Sequence, residues 1–179
     1  ELAWGDLSTA LAILSPSLLG QPIARLGSEE QKARILPVLA GPDFVPGALA
    51  AAEPRFDSDP YRPQTTARAD GDSFLIEGKK CQVPWIDGLT DVVVLAECDG
   101  QAHAFLVPAQ ADGLTAEIEK NLGTHALPLA ELDLSGVRVP LEARLGAEAG
   151  PGISHIIDRG RVGMAACALG MSRAALPTL

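Results

Sequence analysis

From Glu1 to Leu14 the apolar residues Leu2, Ala3, Leu7, Ala10, Leu11 and Leu14 recur at intervals of three and four, the period of an amphipathic helix. Pro16 ends or kinks that pattern, since its ring clashes with a continuing turn. Ser28 and Gln31 then form an S-x-x-Q capping box, in which hydroxyl and amide side chains satisfy the orphan amides of a first turn, and a short helix is predicted from there to about Leu36, before Pro37. After Gly41-Pro42 the period changes to two. The runs 66–70 and 73–77 flank Asp70-Gly71, and 91–98 and 103–107 flank Asp99-Gly100; Asp-Gly between alternating runs predicts a hairpin because both residues tolerate positive φ. Further strands are predicted at LTAEIE, AELDL and GVRV. The Gly-rich GAEAGPG reads as a linker, after which Gly163, Ala166, Gly170 and Ala174 fall on one helical face open to close approach by another helix. The order predicts an α+β fold with helices segregated from the sheet: a helical N-terminal part (1–44), an antiparallel β-barrel-like middle domain (45–148) and the start of a C-terminal helical bundle (149–179).

Composition narrows the function. A formal charge of −9 and a pI near 4.7 argue against nucleic acid as a partner, because phosphates are held chiefly by Lys and Arg. No run as long as the roughly 20 apolar residues of a membrane span is evident, and ELAWGDL lacks a basic leader, so a cytoplasmic protein is expected. Cys81, Cys98 and Cys167 have neither disulfide nor zinc spacing, and His103, His125 and His155 are scattered, so no metal site is expected. There is no P-loop and no G-x-G-x-x-G. The chain starts without Met inside a running helical pattern and stops just after another is established, which reads as a fragment.

The stretch AAEPRFDSDP, Ala51 to Pro60, combines two prolines with Asp57, Ser58 and Asp59, residues that hydrogen-bond their own backbone, and so reads as a well-tied turn. In its wider setting it does more. ELAWGDLSTALAI, GSEEQKARILPVLAG, AAEPRFDSDP, GKK, AFLVP, ELDLSGVRVP and DRGRVGMAACALG follow one another in an order and spacing that resembles the acyl-CoA dehydrogenase family over essentially all 179 residues. The E-P-x-x-D-x-D and V-P pattern is similar to a divergent bacterial branch with members that act in two-subunit assemblies on bulky acyl-CoAs.

The resemblance implies FAD bound between the β-domain and the helices, and α,β-dehydrogenation of an acyl-CoA thioester. It also implies an electron-transfer acceptor and a homo- or hetero-oligomer. By position it assigns the flavin to Leu49, Ala51, Ala52 and Ser58 on the loop and to Gln82, Val83 and Pro84 on a second strand, with Ser58 and Arg161 toward the substrate. The family's loop is T-E-P-G-x-G-S-D. Here Ala52 replaces the hydroxyl residue, Arg55 and Asp57 replace both glycines, and Gln82 and Pro84 replace an aromatic and a hydroxyl residue. Asp57 thereby brings a negative charge toward a phosphate unless it is turned away or paired. The catalytic base is expected outside the chain, since the alternative position before Arg161 is Gly160. Two other readings stand beside the dehydrogenase: a non-catalytic or half-site subunit of a heteromer, and a packing module that has kept only the fold.

Overall fold

The computed structural model describes residues 1–146 and 151–176; positions 147–150 of the expected linker and the last three residues lie outside them. The N-terminal helical pattern is two helices, α1 (Leu2–Gly5) and α2 (Leu7–Leu14), because Asp6 turns extended and its carboxylate accepts the Thr9 amide as an N-cap. Pro16 does not leave a loop behind it. It opens α3 (Pro16–Leu26), a helix that the breakers Pro16, Gly20 and Pro22 conceal in the sequence, since proline at a first helical position loses no bond that the helix would make. The Ser28–Gln31 capping box forms as expected, but α4 (Glu29–Leu39) runs through Pro37 to two residues beyond it. Pro37 sits in the last turn, where the one missing amide ends little.

Among the described residues eight strands follow: β1 (Ala48–Ala50), β2 (Thr66–Asp70), β3 (Ser73–Pro84), β4 (Asp91–Cys98), β5 (Gln101–Pro108), β6 (Leu114–Ile118), β7 (Leu129–Pro140) and β8 (Arg144–Leu145). Both expected hairpins are present. At Asp99-Gly100 both residues have positive φ (53° and 80°), as a type I′ turn requires. In the other, Asp70 pairs with Ser73 and the loop is Gly71-Asp72, one residue later than the Asp-Gly pair suggests. The AELDL and GVRV strands are one strand, β7, bulged at Gly136 (φ 73°). The sheet runs β6-β7-β3-β2-β4-β5-β8 with β1 paired to β4; its two ends are not joined, so it is curled and open rather than a closed barrel, and β1 and β2 both run parallel to β4.

One face of this sheet packs on itself, with Phe74, Ile76, Val92, Val94, Phe105, Leu132 and Val137 in a core where Phe74 and Phe105 meet edge to face at 5.1 Å. The other face receives helices. Val93 and Leu95, alternating with the inward residues of β4, pack with Leu19 and Ile23 of α3, Ile35 of α4 and Ile153 and Ile157 of α5 (Pro151–Ala175). A third small cluster, Ala3, Ala10 and Cys167, joins α1 and α2 to α5, where Gly170 sits against Ala3 and Trp4. Contrary to the expectation from sequence, one segment, Leu7–Leu26, is long and apolar enough to cross a membrane by length and mean hydropathy (1.3) alone. Its Leu19 and Ile23 are used against β4, the place of a core helix.

At Gly78 the sheet leaves no room for a side chain. The glycine has φ 148°, and a Cβ there would lie 2.6 Å from the Thr65 hydroxyl and 2.7 Å from its Cα. Gly78→Ala is expected to cost about 3 kcal/mol, read as a lower denaturant midpoint of the full-length protein; a change under about 0.5 kcal/mol would show that β2 and β3 separate freely at this point.

Candidate functional site

The loop 51–64 carries no regular structure, so its shape comes from side chains that bind backbone. Glu53 donates its amide to the Ser58 hydroxyl (2.9 Å) and accepts the Arg55 amide on its carbonyl (2.7 Å), closing the turn at Pro54. Asp59 repeats the device: its carboxylate accepts the Tyr61 amide at 3.0 Å and its carbonyl the Arg62 amide at 2.9 Å.

The Glu53 carboxylate is the anchor. Only 6% exposed, it accepts the amides of Gln64 (2.9 Å) and Thr65 (2.8 Å), the Thr65 hydroxyl (2.9 Å) and the Lys80 ammonium (3.0 Å). Lys80 is fully buried. Sequence reasoning ended this strand at 77 and passed over Lys80; with β3 running to Pro84, the alternation of Phe74, Ile76, Gly78 and Lys80 puts it on the inward face, where it requires an acid. Burial raises the Glu53 carboxyl, but the Thr65 and Gln64 amides and Lys80 outweigh it and hold it at about 2. Burial likewise pushes Lys80 below the ordinary lysine value, against the pull of Glu53.

This pair brings together the two stretches that the resemblance assigns to one site. Beside it the Cys81 amide donates to the Ala52 carbonyl at 3.0 Å, tying loop to strand directly. Leu49 lies in β1 opposite Val93, and Leu49, Ala51 and Tyr61 pack partly buried against the helix-facing cluster of the sheet. Ser58 is half-buried, with its oxygen taken by the Glu53 amide and its hydroxyl hydrogen still available. Val83 is fully buried in the inner core, so only its backbone faces outward from that core. Pro84 pairs with Leu129, and Gln82 is exposed on a bulge with φ 56°. The added charge of Asp57 is answered: Arg55 holds it in a two-pronged contact, Nε to Oδ1 at 2.7 Å and Nη2 to Oδ2 at 2.5 Å.

Arg161, on α5, comes to the same loop through a residue that sequence reasoning passed over. Tyr61 donates its hydroxyl to Asp158 (2.9 Å), accepts from Arg161 (3.1 Å), and lies with its ring 5.1 Å below the guanidinium. Arg161 also pairs with Asp158 at 3.8 Å. No spacing rule links positions 100 apart, and the resemblance drew attention to Arg161 alone.

A family model described as acyl-CoA dehydrogenase, middle domain, matches residues 48–137, and one described as acyl-CoA dehydrogenase, N-terminal domain, matches residues 1–42. This chain belongs to the acyl-CoA dehydrogenase family. It is 37% identical over 186 residues to the mitochondrial short-chain specific acyl-CoA dehydrogenase of Bos taurus, an alignment that takes in 98% of this chain and 45% of that protein. Among solved structures it is similar to a glutaryl-CoA dehydrogenase from Mycobacterium smegmatis in complex with FADH2 (TM-score 0.85, 33% identity, 97% of this chain and 45% of that one). It is also similar to butyryl-CoA dehydrogenase from Megasphaera elsdenii (TM-score 0.81, 32% identity, 98% and 48%). The chain thus spans about half the length of the relatives it matches.

Removing one charge of the anchor strands the other. Glu53→Gln is expected to cost about 3–5 kcal/mol, because Lys80 is left buried without a counter-charge. Lys80→Met should cost only about 1–2 kcal/mol, since three donors still serve Glu53. Denaturant titrations that reverse this order would remove Glu53 from its central place. Because Glu53 sits at about 2 when folded, against 4.5 ordinarily, its contribution of about 3 kcal/mol is complete above pH 4.5 and vanishes as the pH falls through 2. Acid unfolding of Glu53→Gln should therefore be shallower across that window than that of the wild type.

Proposed function

We propose that this chain forms the flavin-facing part of an acyl-CoA dehydrogenase, with residues 1–44, 45–148 and 149–179 as its helical, β and second helical parts. The observation that carries the reading is the junction of loop and strand, Glu53 to Lys80 and Ala52 to Cys81, which sets residues 51–58 beside residues 81–84 on one surface.

The residues fit FAD through backbone and apolar surface more than through hydroxyls. Leu49, Ala51 and Ala52 offer main chain and small side chains at close range. Ser58 keeps a hydroxyl hydrogen to donate, and Arg55 neutralises Asp57 so that an approaching phosphate meets a paired charge. Gln82, Val83 and Pro84 would border the rings, with the half-exposed Trp85 next to them. A bound flavin would supply the hydride acceptor that no side chain can provide. Toward the substrate, Ser58 and Arg161 offer donors to an acyl-CoA, Arg161 being held in place by Tyr61 and Asp158. The base that takes the α-proton is assigned outside these residues. Relatives named for short-chain, butyryl and glutaryl substrates make short acyl-CoAs the first to try. An electron-transfer acceptor, an oligomer and a cytoplasmic setting belong to the same proposal.

A second reading, a half-site subunit that carries flavin only together with a partner chain, is favoured by one observation. Pro84 has neither an amide nor a hydroxyl to give, and the Gln82 amide is already bound by Glu119.

The visible spectrum of the purified full-length protein separates these. Yellow protein that bleaches with butyryl-CoA, glutaryl-CoA or a bulkier thioester is the expected result. Colour that appears only on adding a related chain encoded beside it would favour the half-site subunit, and colourless protein in both cases would leave a fold without redox chemistry.

A further inference from the structure

Between Lys80, opposite Leu132, and Val83, opposite Ala130, β3 carries two residues where β7 carries one. A bulge of this kind takes two amides out of the ladder, and each must find another acceptor. The Cys81 amide finds the Ala52 carbonyl. The Gln82 amide finds the carboxylate of Glu119 at 2.7 Å, from a residue 37 positions away. Gln82 has φ 56°, a conformation that a residue with a Cβ holds only when its surroundings fix it.

Sheet order puts Glu119 within reach. The order is β6-β7-β3; Glu119 directly follows β6 and donates its own amide to the Leu129 carbonyl at 2.8 Å, and Leu129 is opposite Pro84. The side chain therefore spans β7 to reach the bulge. The turn behind it is tied by Asn121, whose side-chain oxygen accepts the Thr124 amide (3.0 Å) and hydroxyl (2.9 Å), which keeps the base of the carboxylate in place. Among the described residues Glu119 enters no ion pair, so its charge serves the amide alone. A carboxylate on a backbone amide is among the stronger hydrogen bonds a protein makes.

We propose that Glu119 is a positioning residue for the flavin site, its carboxylate holding Gln82 in the left-handed conformation that aims the 82–84 segment; the inference rests on the reading of that segment given above. Because Gln82 and Pro84 bring neither a stacking ring nor a hydroxyl, the direction of their backbone is what they have to offer a ligand, and Glu119 sets it.

The test uses the full-length protein, with amide hydrogen exchange over residues 81–85 of the flavin-free form and titration with FAD followed by flavin fluorescence. Glu119→Ala should speed exchange at Gln82 and weaken FAD binding about tenfold. Glu119→Gln should leave both near wild type, since its amide oxygen still accepts. Adding Gln82→Gly to Glu119→Ala should restore FAD affinity, because glycine takes positive φ without penalty; a merely structural role for Glu119 would not be rescued in this way. Wild-type exchange and affinity in Glu119→Ala, or failure of Gln82→Gly to restore binding, would overturn the proposal. Should Glu119→Ala not fold, Glu119→Asp carries the same two measurements, being one methylene too short to reach. If the wild-type protein binds no FAD, the flavin reading fails and the exchange arm decides alone: faster exchange at Gln82 supports the hold by Glu119, and unchanged exchange ends it.

Discussion

One buried carboxylate, that of Glu53, ties together three pieces of chain that the sequence keeps apart: its own loop, the lead into β2 at Gln64 and Thr65, and Lys80 on β3. A loop without regular structure has no ladder to specify its shape, so the specification must come from such a point. Taking two charges out of water opposes folding, and the gain from their attraction roughly offsets that cost when the remaining donors are satisfied. Here they are satisfied on the acid by two amides and a hydroxyl. The interaction therefore selects one geometry, and its worth shows as the cost of breaking it rather than as a gain over an apolar pair of the same shape. With Glu53 in place, Ser58 must cap its amide, and Ala52 must meet Cys81.

The second constraint is β4, which is buried on both faces. Val92, Val94 and Ala96 belong to the inner core, and Val93 and Leu95 to the core shared with the helices. Because side chains alternate along a strand, a single-residue slip would exchange these sets, which makes the register of β4 the link between sheet and helices. β1 rides on that register through its pairing with Val92, Val93 and Val94, and the candidate loop starts where β1 ends. The Tyr61 cluster then fastens the far end of the loop to α5. Loop, sheet and helix thus meet at one surface because each is fixed to β4 or to a residue packed on it.

What could be read in the sequence was what local physics decides. The Ser28–Gln31 capping box and the Asp99-Gly100 turn need no distant partner, and both were legible. Where tertiary packing overrides local preference, the reading failed: α3 contains Pro16, Gly20 and Pro22, each a breaker by propensity, yet Leu19 and Ile23 have β4 to pack upon. The inward position of Lys80 follows from the alternation of β3 only once that strand runs to Pro84, and its partner could not be named. Glu119 was beyond reach altogether, because its role arises from a bulge that removes a residue from register and from a strand order that no local pattern encodes.

The substitutions in the candidate site form a consistent set once these partners are known. Arg55 and Asp57 stand where glycines are usual, and each is the other's partner. Gln82 stands in a conformation that suits glycine, and a carboxylate from another hairpin holds it there. Pro84 lacks an amide, yet it keeps its place opposite Leu129, and Trp85 immediately takes up the ladder by donating to the Pro128 carbonyl at 2.9 Å. In each case the backbone is fixed by an internal contact: the Arg55–Asp57 pair, the Glu119 carboxylate, or the Trp85 amide. Strain of that kind persists only where the surroundings over-determine it, and around Gln82 the surroundings are the Glu119 carboxylate on its own amide and the tie from the Cys81 amide to the Ala52 carbonyl just before it.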